Sequence, residues 1–152
     1  IRIKPDYDFA YFQRAYAKGE LKDYYGAIND YSKAIELDPD ALAYLKRGRA
    51  KDELKDYYGA ISDYSKAIEL DPDDAKAYND RGNVKDDLKD YYGAMNDYNK
   101  AIELDPYEPG YYYSRGLAKY SSNDIRGACK DVRKAVSRGF VDSQNFIGQI
   151  CN

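Results

Sequence analysis

Histidine and tryptophan are absent from this sequence of 152 residues. Histidine is the commonest acid–base group at neutral pH and the commonest metal ligand, so its absence removes most catalytic and metal-binding arrangements, including Ser-His-Asp triads. The acidic pairs Asp73-Asp74 and Asp86-Asp87 lack the glycine and closing glutamate of a calcium loop, and no glycine-rich phosphate loop is present. We therefore expect no enzyme activity, no catalytic residue, no metal site and no cofactor.

An excess of positive charge and long apolar runs are also missing. The chain has 24 lysine and arginine residues against 27 aspartate and glutamate residues, a net charge of −3. Binding to a nucleic acid duplex needs a clearly positive face, so no nucleic acid partner is expected. No run approaches the roughly 18 apolar residues of a membrane-spanning helix, so no membrane partner is expected either. Tyrosine is abundant, at 19 residues, which indicates repeated aromatic packing.

The sequence repeats itself with a period of 33 or 34 residues. The segment KDYYGAINDYSKAIELDPD, which begins at Lys22, returns with few changes at Lys55 and Lys89. A divergent fourth copy extends from about Pro109 to Asp142. The prolines that close successive units are Pro5, Pro39, Pro72 and Pro106. A fixed period of this length is typical of stacked helical hairpins.

Each unit contains two predicted helices. In the second unit, Ala60, Tyr64 and Ala67 recur at three- and four-residue spacing along one stripe of the second helix, which ends before the closing proline. The first helix is expected from about Ala41 to Leu54. A glycine in the middle of a helix costs about 1 kcal/mol relative to alanine, so its recurrence predicts a close approach of the two helices. The positions concerned are Gly48, Gly82 and Gly116, with Ala15 in the first unit.

These units combine an aromatic residue, a small residue, an Ala-Ile pair, a further alanine and a closing proline. In the second copy the residues concerned are Tyr44, Gly48, Tyr57, Ala60, Tyr64, Ala67 and Pro72. The pattern is similar to the tetratricopeptide repeat family, in an array of the bacterial type with an Arg/Asp pair in each repeat. The resemblance implies an all-α fold, a right-handed superhelical solenoid of antiparallel helix pairs with a C-terminal capping helix. It also implies that the first helices line a concave groove.

We expect a single array over residues 1–152. Residues 1–7 match the end of a unit and are interpreted as the tail of a truncated preceding repeat. The repeats are expected at residues 8–40, 41–74, 75–108 and 109–142, the last one divergent. Residues 143–152 are expected to form the capping helix, since a solenoid needs a cover for its last apolar face.

An arginine occupies, in every unit, a position where the family more often has an apolar residue, and an aspartate follows 16 residues later. The pairs are Arg14 and Asp30, Arg47 and Asp63, Arg81 and Asp97, and Arg115 and Asp131. This spacing brings the middle of the first helix alongside the middle of the second, which predicts four structural ion pairs. A ladder of ligand-binding charges is the alternative, but partly buried charges require partners within the fold.

The resemblance places the peptide-binding groove on the first helices. The candidate residues are Phe9, Phe12, Tyr16, Lys46, Arg49, Asn79, Asn83, Tyr113 and Leu117, and Leu45 is placed beside them. Aromatic side chains accept apolar groups while amides pair with a peptide backbone, although exposed polar residues are often merely solvated. Some family members grip a terminal carboxylate with lysine, arginine and asparagine. Phe12, Tyr16 and Asp80 do not suit that clamp, so binding of this kind is not predicted.

The redox state of the two cysteines is left open by the sequence. Cys129 occupies the position of Ile28 and Ile61, which predicts burial, and Cys151 falls near the end of the expected capping helix. Two buried thiols and a Cys129–Cys151 disulfide are both compatible with this placement. The sequence favours a cytoplasmic location unless the disulfide forms, because disulfides persist mainly in extracytoplasmic compartments.

Two functions follow from the resemblance. The first is a non-catalytic scaffold for protein–protein interaction that binds a peptide or protein segment in the concave groove. The alternative is a self-assembly module that forms a homo-oligomer by stacking repeat edges. The edge expected to stack is the apolar face of the first hairpin. Residues 1–7 are interpreted as only the tail of a preceding repeat, so this face lacks its usual neighbour.

Overall fold

The computed structural model describes residues 7–140, Gly148 and Cys151. These residues form eight α-helices and no β-strand. In chain order the helices are α1 (Tyr7–Glu20), α2 (Tyr24–Leu37), α3 (Ala41–Glu53), α4 (Tyr57–Leu70), α5 (Ala75–Asp87), α6 (Tyr91–Leu104), α7 (Pro109–Ser121) and α8 (Ile125–Ser137). The all-α prediction is confirmed, and α3 ends one residue before the expected Leu54.

The chain forms two compact units, Ile1–Pro72 and Asp73–Asn152. In the first unit α1 packs on α2, α3 packs on α4, and α2 also contacts α3. In the second unit α5 packs on α6, α7 packs on α8, and α6 also contacts α7. Each unit therefore contains two helical hairpins that bury apolar surface both within themselves and against each other.

The same tight turn joins the two helices of each hairpin. Its second residue is Lys22 in the first hairpin, and here and in the other three hairpins its φ lies between 61° and 68°, which is uncommon for residues other than glycine. Its third residue, Asp23, caps the second helix by accepting a hydrogen bond from the Gly26 amide at 3.0 Å. A Cβ at Gly26 would overlap the Asp23 carboxylate, so the glycine of the Tyr-Tyr-Gly-Ala motif makes room for the cap. The equivalent caps are Asp56, Asp90 and Asp124.

The mid-helix glycines mark close contacts between the helices of a hairpin, as the sequence predicts. A Cβ on Gly48 would lie 2.7 Å from Cε1 of Tyr64, and one on Gly82 would lie 2.8 Å from Cε1 of Tyr98. Both tyrosines are buried. The glycines therefore allow a large ring to pack directly against the backbone of the first helix.

Two predicted segments fall mostly outside the described residues. These are the tail at residues 1–7, of which Tyr7 alone is described, and the capping helix at residues 143–152, of which only Gly148 and Cys151 are described. In the described part of the chain, no helix has the length and apolar character that crossing a membrane requires.

Candidate functional site

The four arginine–aspartate pairs occur in the structure. In the second hairpin, Arg47 donates from Nε and Nη2 to the two carboxylate oxygens of Asp63, at 2.8 and 2.7 Å. Arg14, Arg81 and Arg115 hold their aspartates in the same two-pronged way, at 2.6–2.9 Å. All four carboxylates are buried, with Asp63 only 3% exposed. The pairs therefore belong to the interior of the hairpins, which leaves these aspartates poorly placed to meet a ligand.

Each buried aspartate also has a second cation, which the sequence analysis missed. Lys51, one turn after Arg47, approaches Asp63 to 2.8 Å. Lys18, Lys85 and Lys119 make the equivalent contacts at 2.7–2.8 Å. The available signal was the recurrence of a lysine four residues after each arginine, which places both cations on one helix face. Two cations per carboxylate explain how a charge remains stable in the hairpin interior.

The hydrogen bonds from these cations shift the acidity of the carboxyl groups. The Arg14 hydrogen bond is the largest influence on Asp30 and, against the effect of burial, lowers its pKa to about 2. For Asp131, burial acts to raise the pKa, but the hydrogen bonds from Arg115 and Lys119 outweigh it and the pKa is lowered. Both groups therefore favour the ionised form that the ion pairs require.

The arginines also link neighbouring hairpins within a unit. Arg47 Nη1 donates to Ser32 Oγ on α2 at 2.9 Å, and Arg115 Nη1 donates to Asn99 Oδ1 on α6 at 2.7 Å. Ser32 and Asn99 each lie two residues after the aspartate of their own hairpin. The same position of α8 carries an exposed arginine, Arg133. The helices α2 and α6 thus carry a side chain that accepts a hydrogen bond from the arginine of the following hairpin. On α8 this acceptor is replaced by a cation, Arg133.

Three predicted groove residues come together in the first unit. Tyr16 on α1 and Lys46 and Arg49 on α3 line one cleft of about 250 Å³, with Glu20 and Glu53 at its border. The Lys46 ammonium lies 5.2 Å from the centre of the Tyr16 ring, a cation–π contact. This cleft therefore offers an aromatic surface together with two cationic and two acidic groups.

A second cleft of the first unit holds the other two predicted groove residues of α1. Phe9 and Phe12 form its apolar surface together with Leu42, in a volume of about 280 Å³, and Asp8, Asp38 and Asp40 also line it. Phe9 is 57% exposed. This cleft can take an apolar side chain.

The predicted position of Leu45 on the peptide-binding groove is wrong. Leu45 was placed on the groove, but it is buried, with 4% of its surface exposed, and so belongs to the core of the first unit. Its neighbour Lys46 lies on the cleft instead.

The predicted groove residues of the second unit lie on α5 and α7. Asn79 and Asn83 are one turn apart on α5, and Tyr113 and Leu117 are one turn apart on α7. Asn83 Oδ1 accepts a hydrogen bond from the Tyr98 hydroxyl at 2.9 Å. Tyr113 stacks on Phe140 at 4.7 Å between ring centres and packs against the Ala128–Val132 cluster. Part of this predicted surface thus serves the packing of the unit itself.

Cys129 and Cys151 are joined by a disulfide in the structure, with 5.3 Å between their Cα atoms. Cys151 packs against the core cluster of Ala128 and Val132 on α8. The bond attaches Cys151 to the last described helix, across 22 residues of chain.

No arrangement of three or more histidine, cysteine, aspartate and glutamate side chains suited to a metal ion occurs among residues 7–140, Gly148 and Cys151.

Comparison with known families identifies three stretches of the chain. Residues 48–85 match a model described as a TPR repeat. Residues 75–108 and residues 10–40 each match a model described as a tetratricopeptide repeat. No match was found among curated proteins.

Similar folds occur among solved structures. A crystal structure of MamA has a TM-score of 0.85 and 25% identity, with 93% of this chain and 83% of that chain covered. The TPR domain of Arabidopsis OM64 has a TM-score of 0.72 and 27% identity, with 74% and 94% covered. The first TPR of Spaghetti (RPAP3), bound to the HSP90 peptide SRMEEVD, has a TM-score of 0.71 and 24% identity, with 74% and 90% covered.

Proposed function

Because this chain belongs to the tetratricopeptide repeat family, we propose that it is a non-catalytic scaffold that holds a peptide or protein segment on its first helices. The observation that carries the proposal is the cleft of the first unit, where Tyr16, Lys46 and Arg49 meet. Tyrosine and arginine are enriched among the residues that dominate binding energy at protein interfaces.

The two clefts of the first unit support a peptide better than a small molecule. Their volumes of about 250 and 280 Å³ are below the roughly 300–1,000 Å³ of typical small-ligand pockets. One cleft has an apolar surface around Phe9 and Phe12, and the other combines an aromatic ring with charges of both signs. An extended segment with an apolar residue and a polar or charged residue would satisfy both.

The ligand proposed here differs from the one that Spaghetti binds. The peptide SRMEEVD in that structure is acidic. In this chain the resemblance places Phe12 and Tyr16 where a carboxylate clamp has lysine and asparagine, and Asp80 adds a negative charge where a clamp needs a positive one. We therefore infer recognition of an internal segment of the partner rather than its terminal carboxylate.

A crosslinking pull-down from the native host tests this function. The bait is the whole chain, compared with a Tyr16→Ala, Arg49→Ala double variant. A control double variant, Tyr25→Ala with Arg133→Ala, changes the same residue types at exposed positions outside both clefts. We expect one dominant crosslinked partner that the first variant loses and the control retains. Retention of that partner by the Tyr16, Arg49 variant would show that the cleft is not the binding site.

Self-assembly is a second candidate, favoured by the outer side of α1. Tyr7, Ala10, Tyr11 and Arg14 line a cleft of about 310 Å³ there. The equivalent of Ala10 on α3 is Ala43, which is 2% exposed because neighbouring helices cover it. This side of α1 thus has the residues that α3 buries against its neighbours, but in α1 they are more exposed.

Mass measurement in solution separates the two candidates. A concentration-dependent dimer that disappears in Ala10→Glu but persists in Tyr25→Glu, an exposed residue of α2 that does not line this cleft, would support assembly through this edge. A monomer at all concentrations leaves the groove as the function.

We also propose that the chain works in an oxidising compartment, since the Cys129–Cys151 disulfide would be reduced in most cytosols. A thiol count on protein isolated from its native host without reductant should find no free cysteine. Two free thiols per chain would refute this location.

A further inference from the structure

The outer side of α1 has the residue pattern with which α3 and α7 contact the helix before them. Its residues Ala10, Arg14 and Ala17 follow one another at spacings of four and three, which places them on one face of the helix. We call these three residues the α1 edge. All three are exposed, and Ala10 and Arg14 line the cleft of about 310 Å³. The α1 edge is therefore accessible to another helix.

An aromatic residue of the preceding helix covers the equivalent of Ala17 in both units. Ala50 follows the arginine of α3 by three residues and shares a buried cluster with Tyr31 of α2. Ala118 on α7 has the same spacing and shares a cluster with Tyr98 of α6. Both alanines are at most 5% exposed. The α1 edge thus has a small residue at the position against which an aromatic ring packs in the other hairpins.

A hydrogen-bond acceptor directly follows this aromatic residue. Arg47 Nη1 donates to Ser32 Oγ at 2.9 Å, and in the second unit Arg115 Nη1 donates to Asn99 Oδ1 at 2.7 Å. Arg14 holds its aspartate through Nε and Nη2 alone, and its Nη1 has no acceptor within the described part of the chain. The Arg14 side chain is 60% exposed, against 17% for Arg47. The α1 edge therefore has an unused donor beside its small residue.

A second copy of the chain does not supply this pair of contacts. Its last described helix, α8, has Val132 and Arg133 in the two positions, so it would set one guanidinium against that of Arg14. Cys151 also packs against Val132. The helices α2, α4 and α6 do carry the pair, but their tyrosine is at most 3% exposed in the folded chain. These observations favour an occupant from a different protein.

We propose that the α1 edge binds a helix of a different protein in which an aromatic residue is followed directly by serine or asparagine. The aromatic ring packs on Ala17, and the hydroxyl or amide oxygen accepts a hydrogen bond from Arg14 Nη1, as Ser32 does from Arg47. A hydrogen bond from a charged donor is stronger than a neutral one, so the acceptor gives the contact its specificity.

The α1 edge is separate from the surface of the proposed peptide-binding function. None of its three residues lines either of the two clefts that hold the predicted groove residues of the first unit. The chain can therefore hold a peptide segment and a helix at the same time, which makes it a bridge between two proteins.

The test uses the first unit of the chain as its probe. Residues 1–72 form a compact unit whose last helix, α4, carries Tyr64 followed by Ser65. The probe also carries Ala10→Glu, which blocks its own α1 edge. Circular dichroism checks that the probe is helical, and sedimentation velocity measures its binding to the whole chain. We expect a 1:1 complex, and the absence of a complex with a helical probe would overturn the inference.

Matched variants identify the two surfaces of the complex. Ser65→Arg in the probe reproduces the residue type of α8 and should weaken binding about tenfold or more, the scale of a hydrogen bond to a charged group. Ala10→Glu in the whole chain should abolish binding, whereas Tyr25→Glu, at an exposed position of α2, should leave it within about twofold. Equal binding of the two probes would refute the acceptor. Loss of binding in Tyr25→Glu would refute the location.

A second measurement does not depend on a free fragment. A copy of residues 41–70 is joined to residue 4 of the chain, so that a copy of α4 precedes α1. This fusion should melt about 2–4 °C higher than the same fusion with Ser65→Arg in the copied helix, because only the first supplies an acceptor to Arg14. Equal melting temperatures would show that the α1 edge does not read the residue after the aromatic one.

Further measurements separate this inference from the other proposals. A wild-type dimer that is lost in Ala10→Glu would assign the α1 edge to a second copy and refute a different protein as its occupant. The Tyr16→Ala, Arg49→Ala variant should bind the probe as the wild type does, because both residues lie on the cleft of the peptide-binding function. Loss of probe binding in that variant would place the complex on the cleft and refute the α1 edge. Failure of the pull-down alone would refute only the peptide-binding function.

Discussion

The two hairpins of the first unit have closely similar sequences but bury their charges to different degrees. Arg14 and Arg47 both grip an aspartate with two hydrogen bonds, and Asp30 and Asp63 are equally buried. The Arg14 side chain is nevertheless 60% exposed, whereas that of Arg47 is 17% exposed. The difference lies in the neighbour, since α2 packs on α3 and Ser32 accepts from Arg47.

This comparison separates two sources of stability. The ion pair is determined within one hairpin, because it forms in α1–α2 as well as in α3–α4. The removal of its cation from water is determined by the adjacent hairpin. The contribution of a repeat therefore depends on its place in the array, as expected of a structure in which each repeat contacts its neighbours.

Removal of the aspartate carboxylate should produce the largest difference in stability between the two hairpins. Asp63→Ala leaves Arg47 and Lys51 unpaired, at 17% and 19% exposure, and should cost about 3–5 kcal/mol in the free energy of unfolding. Asp30→Ala should cost clearly less, because Arg14 can turn to water. Urea titration of both variants measures this. Equal losses would show that the neighbouring hairpin does not affect the energy of the pair.

A smaller effect is expected from the helix contact. Gly48→Ala places a methyl group against the Tyr64 ring and should destabilise the protein by about 1 kcal/mol or more, although alanine favours the helix. Gly19→Ala in α1 meets no atom within 4 Å and should stabilise by up to about 1 kcal/mol. Melting temperatures should therefore shift in opposite directions. A shift in the same direction would indicate that the Tyr64 ring moves aside freely.

The smallest expected effect is a loss of stability at low pH. The pKa of Asp30 is about 2 in the folded protein, below the value of about 3.9 typical of unfolded chains, so its contribution to stability is present above pH 4. That contribution should be lost as the pH falls from about 4 towards 2. Urea midpoints at pH 6, 4 and 3 should fall more for the wild type than for Asp30→Asn. Parallel falls would mean that the Arg14–Asp30 pair contributes little to stability.

The pattern-based predictions succeeded where a contact depends on one hairpin alone. The 16-residue spacing of Arg47 and Asp63, and the glycine at residue 48, reflect the alignment of two helices joined by a three-residue turn. The periodicity of the sequence is sufficient to predict that alignment. The same holds for the helix starts, where Asp23 and Gly26 form a cap from neighbouring residues.

Contacts that depend on the rotation of helices against other parts of a unit were harder to predict. Leu45 was assigned to the groove and is buried, and Tyr113 stacks on Phe140 of the segment after α8. The second cation, Lys51, lies 12 residues before its partner Asp63, so the 16-residue arginine–aspartate spacing does not indicate it.

Arg133 determines which hairpin of this protein is suitable for building longer repeat arrays. A synthetic array made from copies of α3–α4 would present Ser65 to the arginine of each following copy, repeating the hydroxyl acceptor of Ser32. One made from copies of α7–α8 would set guanidinium against guanidinium at every joint. The second hairpin is thus the better building block for lengthening such proteins, and the fourth is suited to stopping their growth.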